Sequence, residues 1–157
     1  ITRDTRAVTV DDLRGYDALV HLAEVSNDPV GELNQDVTYK INHEGSLRLA
    51  TLAKEAGIER FIHMSSCSVY GAAGEQPSRE GDPTVPLTSY AKCKVLIEQE
   101  VSPLADDTFS PTVMRNATAY GASPRQRFDL VVNDSAALYA SPQVDVTEKV
   151  LKRLTSK

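Results

Sequence analysis

Cysteine is scarce in this sequence: only Cys67 and Cys93 occur in 157 residues, at no spacing that a structural metal site uses. A reducing compartment, the cytoplasm, is therefore the expected setting. Positive charge is also short. There are 17 Lys and Arg against 22 Asp and Glu, a net charge of −5, which gives no electrostatic support to a nucleic-acid partner. No apolar run approaches the length of a membrane span, so no membrane partner is expected. The chain opens Ile1-Thr2-Arg3-Asp4, without the basic region and apolar core of a secretory leader. It has no methionine at position 1, from which a start inside a longer reading frame is expected. Internal repeats and low-complexity tracts are missing as well, and the carboxylates are scattered with no pairing at a suggestive spacing. What remains is 41% hydrophobic and 25% charged, the balance of an ordinary globular domain.

Apolar runs alternate with helical periodicity along the chain. Tyr16 to Ala23 is a continuous apolar run, expected to be a strand buried on both faces of a parallel sheet. Glu24 to Glu32 reads as a loop, being rich in Ser, Asn, Asp, Pro and Gly. A helix is expected over Asn34 to Ala56, with Val37, Ile41, Gly45, Leu49 and Leu52 on one face and Gly57 stopping it. Ile58 to Ser65 is the second strand. After a loop from Gly71 to Pro86, Thr88 or Ser89 caps a helix running to about Val101. Pro111 to Arg115 is the third strand. Asn116 to Arg127 reads as a loop, Phe128 to Tyr139 as a helix and Val146 to Leu154 as a short amphipathic helix. Strands alternating with helices predict an α/β fold with a parallel sheet.

The chemistry concentrates in two short stretches, Ser65-Ser66-Cys67-Ser68-Val69-Tyr70-Gly71 and Tyr90-Ala91-Lys92-Cys93-Lys94. Residues four apart on a helix are neighbours on one face, so Lys94 is expected beside Tyr90. A unit positive charge about 4 Å away, at an effective dielectric near 20, is worth roughly 4 kcal/mol. That is about three pKa units on a phenol whose ordinary value is near 10, enough to make Tyr90 a general base near neutral pH. Ser66, at the end of the second strand, is placed to hydrogen-bond the same substrate oxygen. An isolated Tyr-x-x-x-Lys pair is more often plain helix surface. The serine cluster ahead of it shifts the balance towards proton transfer at a carbon–oxygen bond.

These segments resemble the NAD-dependent epimerase/dehydratase family, within the extended short-chain dehydrogenase/reductase superfamily. Asp17 to Ala23 is similar to the family's strand ending His-Leu-Ala-Ala, with Glu24 in place of the second Ala. Asn42-His43-Glu44-Gly45-Ser46 resembles Asn-x-x-Gly-Thr, and Ser65 to Gly71 resembles Ser-Ser-x-x-Val-Tyr-Gly. Arg115 to Gly121 resembles Arg-x-x-Asn-x-x-Gly, with Thr118 where Asn is usual. The resemblance implies an incomplete Rossmann-like, doubly wound parallel sheet over residues 1–134, with a divergent tail over 135–157. It implies Ser66, Tyr90 and Lys94 as catalytic residues. Cofactor contacts are implied at Asp4, Leu22, Ala23, Glu24, Asn42, Ser65, Tyr90 and Lys94, and substrate contacts at Cys67, Ser68 and Thr118. The cofactor implied is NAD, with NADP not excluded. The implied partner is a nucleotide sugar, and a homodimer is left open. His21 and His63 are expected as buried or cofactor-adjacent strand residues rather than metal ligands, and His43 as exposed; no metal is expected.

The family's Gly-x-x-Gly-x-x-Gly turn, which delivers the cofactor pyrophosphate to a helix N-terminus, occurs nowhere in the sequence. The chain is therefore expected to start after two β-α units, roughly 50–60 residues late, and to bind NAD weakly or not at all on its own. The dehydratase branch follows its catalytic hydroxyl with Asp-Glu; here Cys67-Ser68 offer no acid for a leaving hydroxyl. Epimerase or reductase chemistry is therefore expected over dehydration. A truncated chain without activity, or a dinucleotide-binding regulator, is the alternative.

Overall fold

Three parallel strands, β1 (Ala18–His21), β2 (Arg60–Ser66) and β3 (Ser110–Asn116), form a sheet in the order β1-β2-β3. β1 runs in register with β2 from Ala18 opposite Arg60 to His21 opposite His63, and β2 with β3 from Arg60 opposite Ser110 to Ser66 opposite Asn116. The computed structural model describes residues 4–26, 28–72 and 76–117. Thr118 and the expected segments beyond it lie outside the described residues.

Short helices α1 (Val10–Leu13) and α2 (Asp28–Leu33) flank β1. The long helical run between β1 and β2 has three parts: α3 (Gln35–Thr38), a π-helical turn (Tyr39–Glu44) and α4 (Gly45–Glu55). Asn34 caps its start by accepting from the Val37 amide, and Gly57, at φ 84°, ends it where an L side chain would be strained. α5 (Ser89–Val101) begins at Thr88, whose side chain accepts from the Ala91 amide. Gly57 and Thr88 stand where the sequence places them. α2 is a correction: Pro29 and Gly31 mark a turn on composition, yet Pro is compatible with a first helical turn, and the segment is helical.

Both long helices lie on one face of the sheet, the face carrying Phe61, His63 and Ser65. Leu49, Ala50 and Ala53 of α4 meet Ile97 and Val101 of α5, Phe61, Phe109 and Ile58 in one buried cluster. Burial alternates along β2 accordingly: Phe61, His63 and Ser65 are buried, and Ile62, Met64 and Ser66 half-buried. Among the described residues the opposite face stays open, with Val20 49% and Met114 43% exposed. β1 is therefore not buried on both faces as its apolar run suggests. Among the described residues it is an edge strand, and Leu22 just past it is 72% exposed. No helix among the described residues is long and apolar enough to cross a membrane.

Two outcomes follow from this geometry. An open edge beside exposed Val20 and Leu22 is a pairing template, so the 157-residue chain should self-associate, with a concentration-dependent melt and a light-scattering mass above that of a monomer. Gly71 closes the turn after β2 at φ 78°, where an added Cβ would collide with the Val85 carbonyl oxygen. Gly71→Ala should therefore destabilise by roughly 2–4 kcal/mol, read as a lowered denaturant midpoint at unchanged m-value.

Candidate functional site

The C-terminal ends of β1 and β2 are where an open α/β sheet places its ligands, and the chain's polar side chains collect there. α5 brings Tyr90 and Lys94 on successive turns, with the Lys94 Nζ 5.2 Å from the centre of the Tyr90 ring. The Lys94 side chain is buried and donates to the Met64 carbonyl of β2. Ser66 ends β2; its Oγ accepts from the Ser68 amide at 3.2 Å and lies 2.9 Å from the Ser68 Oγ, so the two expected serines share one hydrogen-bonded turn. Cys67, between them, is half-buried and in no disulfide.

Glu24 governs the electrostatics of this region. Its side chain is only 5% exposed and meets the Lys94 Nζ at 2.5 Å through Oε2. Its Oε1 faces His21 Nε2 at 3.7 Å and His63 Nδ1 at 3.6 Å, and accepts from the Ser46 hydroxyl at 3.3 Å. Burial raises the carboxyl above its ordinary range, with Lys94 and Ser46 pulling the other way. Burial first, and then the Lys94 charge, lowers His21 to about 4 and His63 to about 3. Both imidazoles are therefore neutral at pH 7. Elsewhere burial pushes the Cys93 thiol up to about 11, so it packs as an apolar group and is no nucleophile.

The π-helical turn has a visible purpose. Asn42, 1% exposed, accepts from the Val25 amide at 2.8 Å and donates to the Val25 carbonyl at 2.9 Å. It therefore pins the loop that carries Glu24, and its amide is occupied by backbone. Ser65 is likewise committed, donating to Glu98 Oε1 at 2.5 Å. Asp4 is exposed, ion-paired with Arg6 at 2.6 Å, and lowered to about 2 by that contact. Leu22 and Ala23 are exposed at the tip of β1.

A support layer that the sequence did not announce surrounds these groups. Arg115 of β3 grips Glu98 of α5 with two nitrogens, at 2.7 and 3.1 Å, and donates to the Tyr70 hydroxyl at 2.8 Å and the Glu80 carbonyl at 3.0 Å. His43 lies 2.8 Å from Glu100 and so meets α5 rather than standing free on a polar face. The signal for Glu98 was its spacing: four residues after Lys94, it continues the stripe that starts at Tyr90. The signal for Glu24 was a carboxylate directly after a strand-end His-Leu-Ala.

The family model "NAD dependent epimerase/dehydratase family" matches residues 2–146. A UDP-glucose 4-epimerase of Azospirillum brasilense is 31% identical over 112 residues, 71% of this chain and 32% of its own length. A dTDP-D-glucose 4,6-dehydratase of Mus musculus is 34% identical over 87 residues, 55% of this chain and 24% of its own. Among solved structures, MoeE5 in complex with UDP-glucose and NAD superposes with a TM-score of 0.73 at 27% identity, covering 92% of this chain and 48% of MoeE5. The chain thus spans about a third or less of these curated relatives and about half of that solved chain.

The histidines set a pH signature. In the unfolded chain both take a proton near 6.5, whereas the folded chain resists until about 4 and about 3. Their contribution to stability is complete above 6.5 and is lost as pH falls towards those folded values. Stability measured in chelated buffer should start to fall below about pH 6.5, above the carboxylate range. His63→Phe should flatten that limb.

Proposed function

The chain belongs to the NAD-dependent epimerase/dehydratase family, and from that premise we propose that it contributes the nicotinamide side of a nucleotide-sugar active site. The observation that carries the reading is the pairing on α5: Tyr90 and Lys94 one turn apart, with Lys94 anchored on the Met64 carbonyl two residues before Ser66. In this reading Tyr90 takes the proton of a sugar hydroxyl and Ser66 orients the same oxygen. Lys94 favours the phenolate. When bound, NAD supplies the hydride acceptor for the carbinol carbon. Its use by this chain is supported by the NAD in the MoeE5 complex, and a nucleotide-sugar substrate by the UDP-glucose there. An NADP preference is not excluded.

The residues present fit one end of the cofactor. An ammonium has three donors; Glu24 and Met64 take two from Lys94, leaving one for a ribose hydroxyl. No glycine-rich strand-to-helix turn for the pyrophosphate exists in the sequence, and Asp4, the residue expected at the adenine, is already held by Arg6. One charge-assisted contact is worth about 1.5–3 kcal/mol, against an association cost of at least about 4 kcal/mol. The 157-residue chain alone therefore binds NAD weakly.

Cys67 and Ser68 place no carboxylic acid beside Ser66, which supports hydride exchange at a carbinol over elimination. One observation favours a second reading, a dinucleotide-binding protein without turnover. The Glu24 carboxylate at 2.5 Å offsets the positive field that Lys94 would otherwise direct at Tyr90.

Saturation-transfer NMR with millimolar NAD separates these contacts. The expected result is transfer to the nicotinamide and its ribose, with little to the adenine. It should be lost in the double variant Glu24→Gln/Lys94→Met, which removes the site without leaving a buried charge unpaired. Micromolar NAD affinity, or unchanged transfer in the double variant, would show the cofactor held by other residues.

A further inference from the structure

We propose that His21 Nε2, Glu24 Oε1 and His63 Nδ1 form a three-ligand site for a divalent transition ion of the zinc class. The site goes beyond the nucleotide-sugar reading and needs neither cofactor nor substrate. Its ligands come from the two strand ends that the sheet register sets side by side, His21 opposite His63, with Glu24 three residues past His21. The three ligand atoms lie within 4.8 Å of one another. Tetrahedral bonds of about 2.1 Å set two ligand atoms about 3.4 Å apart. The Glu24 carboxylate stands 3.7 and 3.6 Å from the two imidazole nitrogens. Small rotations of the rings close the remainder.

The independent sign of a ligand is His63. It is 0% exposed, and neither of its ring nitrogens has a hydrogen-bond partner. Leaving a buried polar group unsatisfied is costly, and Phe would fill the same apolar place without that cost. A metal ion on Nδ1 supplies the missing partner. Ser46 Oγ, 2.7 Å from His21 Nε2 and 3.3 Å from Glu24 Oε1, adds a hydroxyl to a donor set of nitrogen and oxygen only. That set suits Zn²⁺, Co²⁺, Ni²⁺ or Fe²⁺ rather than a soft monovalent ion.

Lys94 is the charge that opposes a cation here. The two carboxylate oxygens of Glu24 face different partners, Oε2 the ammonium at 2.5 Å and Oε1 the two histidines. Glu24 thus bridges the ion and Lys94, and the ion satisfies groups that the ammonium does not reach.

The test uses the untagged 157-residue chain, stripped with chelator and titrated with Co²⁺ and then Zn²⁺. One equivalent of Co²⁺ should produce the visible d–d absorption of a low-coordinate nitrogen/oxygen site. Zn²⁺ should displace it and raise the melting temperature. His63→Phe and Glu24→Gln should each weaken binding by more than the ~10–100-fold typical of an outer partner and abolish the thermal shift. The metal-free melt of each variant checks that it is folded. Cys67→Ser, which removes the half-buried thiol, should change neither result. The site is overturned if the unmutated chain gives no stoichiometric cobalt spectrum, or if folded His63→Phe binds as tightly as the parent.

Discussion

The buried contact between Glu24 and Lys94 is the interaction on which the rest of this structure depends. It joins three pieces of chain: the loop after β1, the Met64 carbonyl of β2 and the second turn of α5. A buried ion pair repays its desolvation only when further hydrogen bonds satisfy both ions, and removing one partner typically costs about 3–5 kcal/mol. Here those bonds come from Met64 and Ser46. The Lys94 charge also helps keep His21 and His63 unprotonated. Position and protonation in this region therefore have one common source.

A second ion pair repeats the device one turn along α5. Glu98 takes Arg115 from β3 and Ser65 from β2, as Lys94 takes Glu24 and Met64. Residues 90, 94 and 98 thus form a polar seam along the end of the sheet, while Cys93, Ile97 and Val101 are buried beside it. α5 shows little separation of apolar and polar faces for this reason: its buried side contains both the core and the polar seam.

Much of this was legible in the sequence, for identifiable reasons. Thr88 and Gly57 mark helix ends by local chemistry that needs no tertiary context, and the alternation of strands and helices gives the parallel sheet. The Tyr90–Lys94 proximity follows from helical spacing alone. What was not legible depended on partners distant in sequence. An apolar strand reads the same whether one face or two are covered, so the run by itself does not show the exposure of Val20. The π-helical turn leaves the helical pattern on either side nearly intact, which hides the reach of Asn42 to Val25. Glu24 falls where a charged residue ordinarily means a solvated loop. Only the arrival of Lys94 from α5 makes its burial tolerable.

β2 carries two different environments in seven residues. Phe61, His63 and Ser65 are buried against the helices, while Ile62 and Met64 face the other side. Deleting a single residue ahead of this strand would exchange the two sets wherever the pairing register held. Ile62 and Met64 would enter the helix-covered layer, and His63 would turn outward. The composition of the segment would hardly change and its apolar character would survive. A reading frame can thus preserve every propensity of this strand and still erase its chemistry, because the identity of the site is written in the parity of the positions.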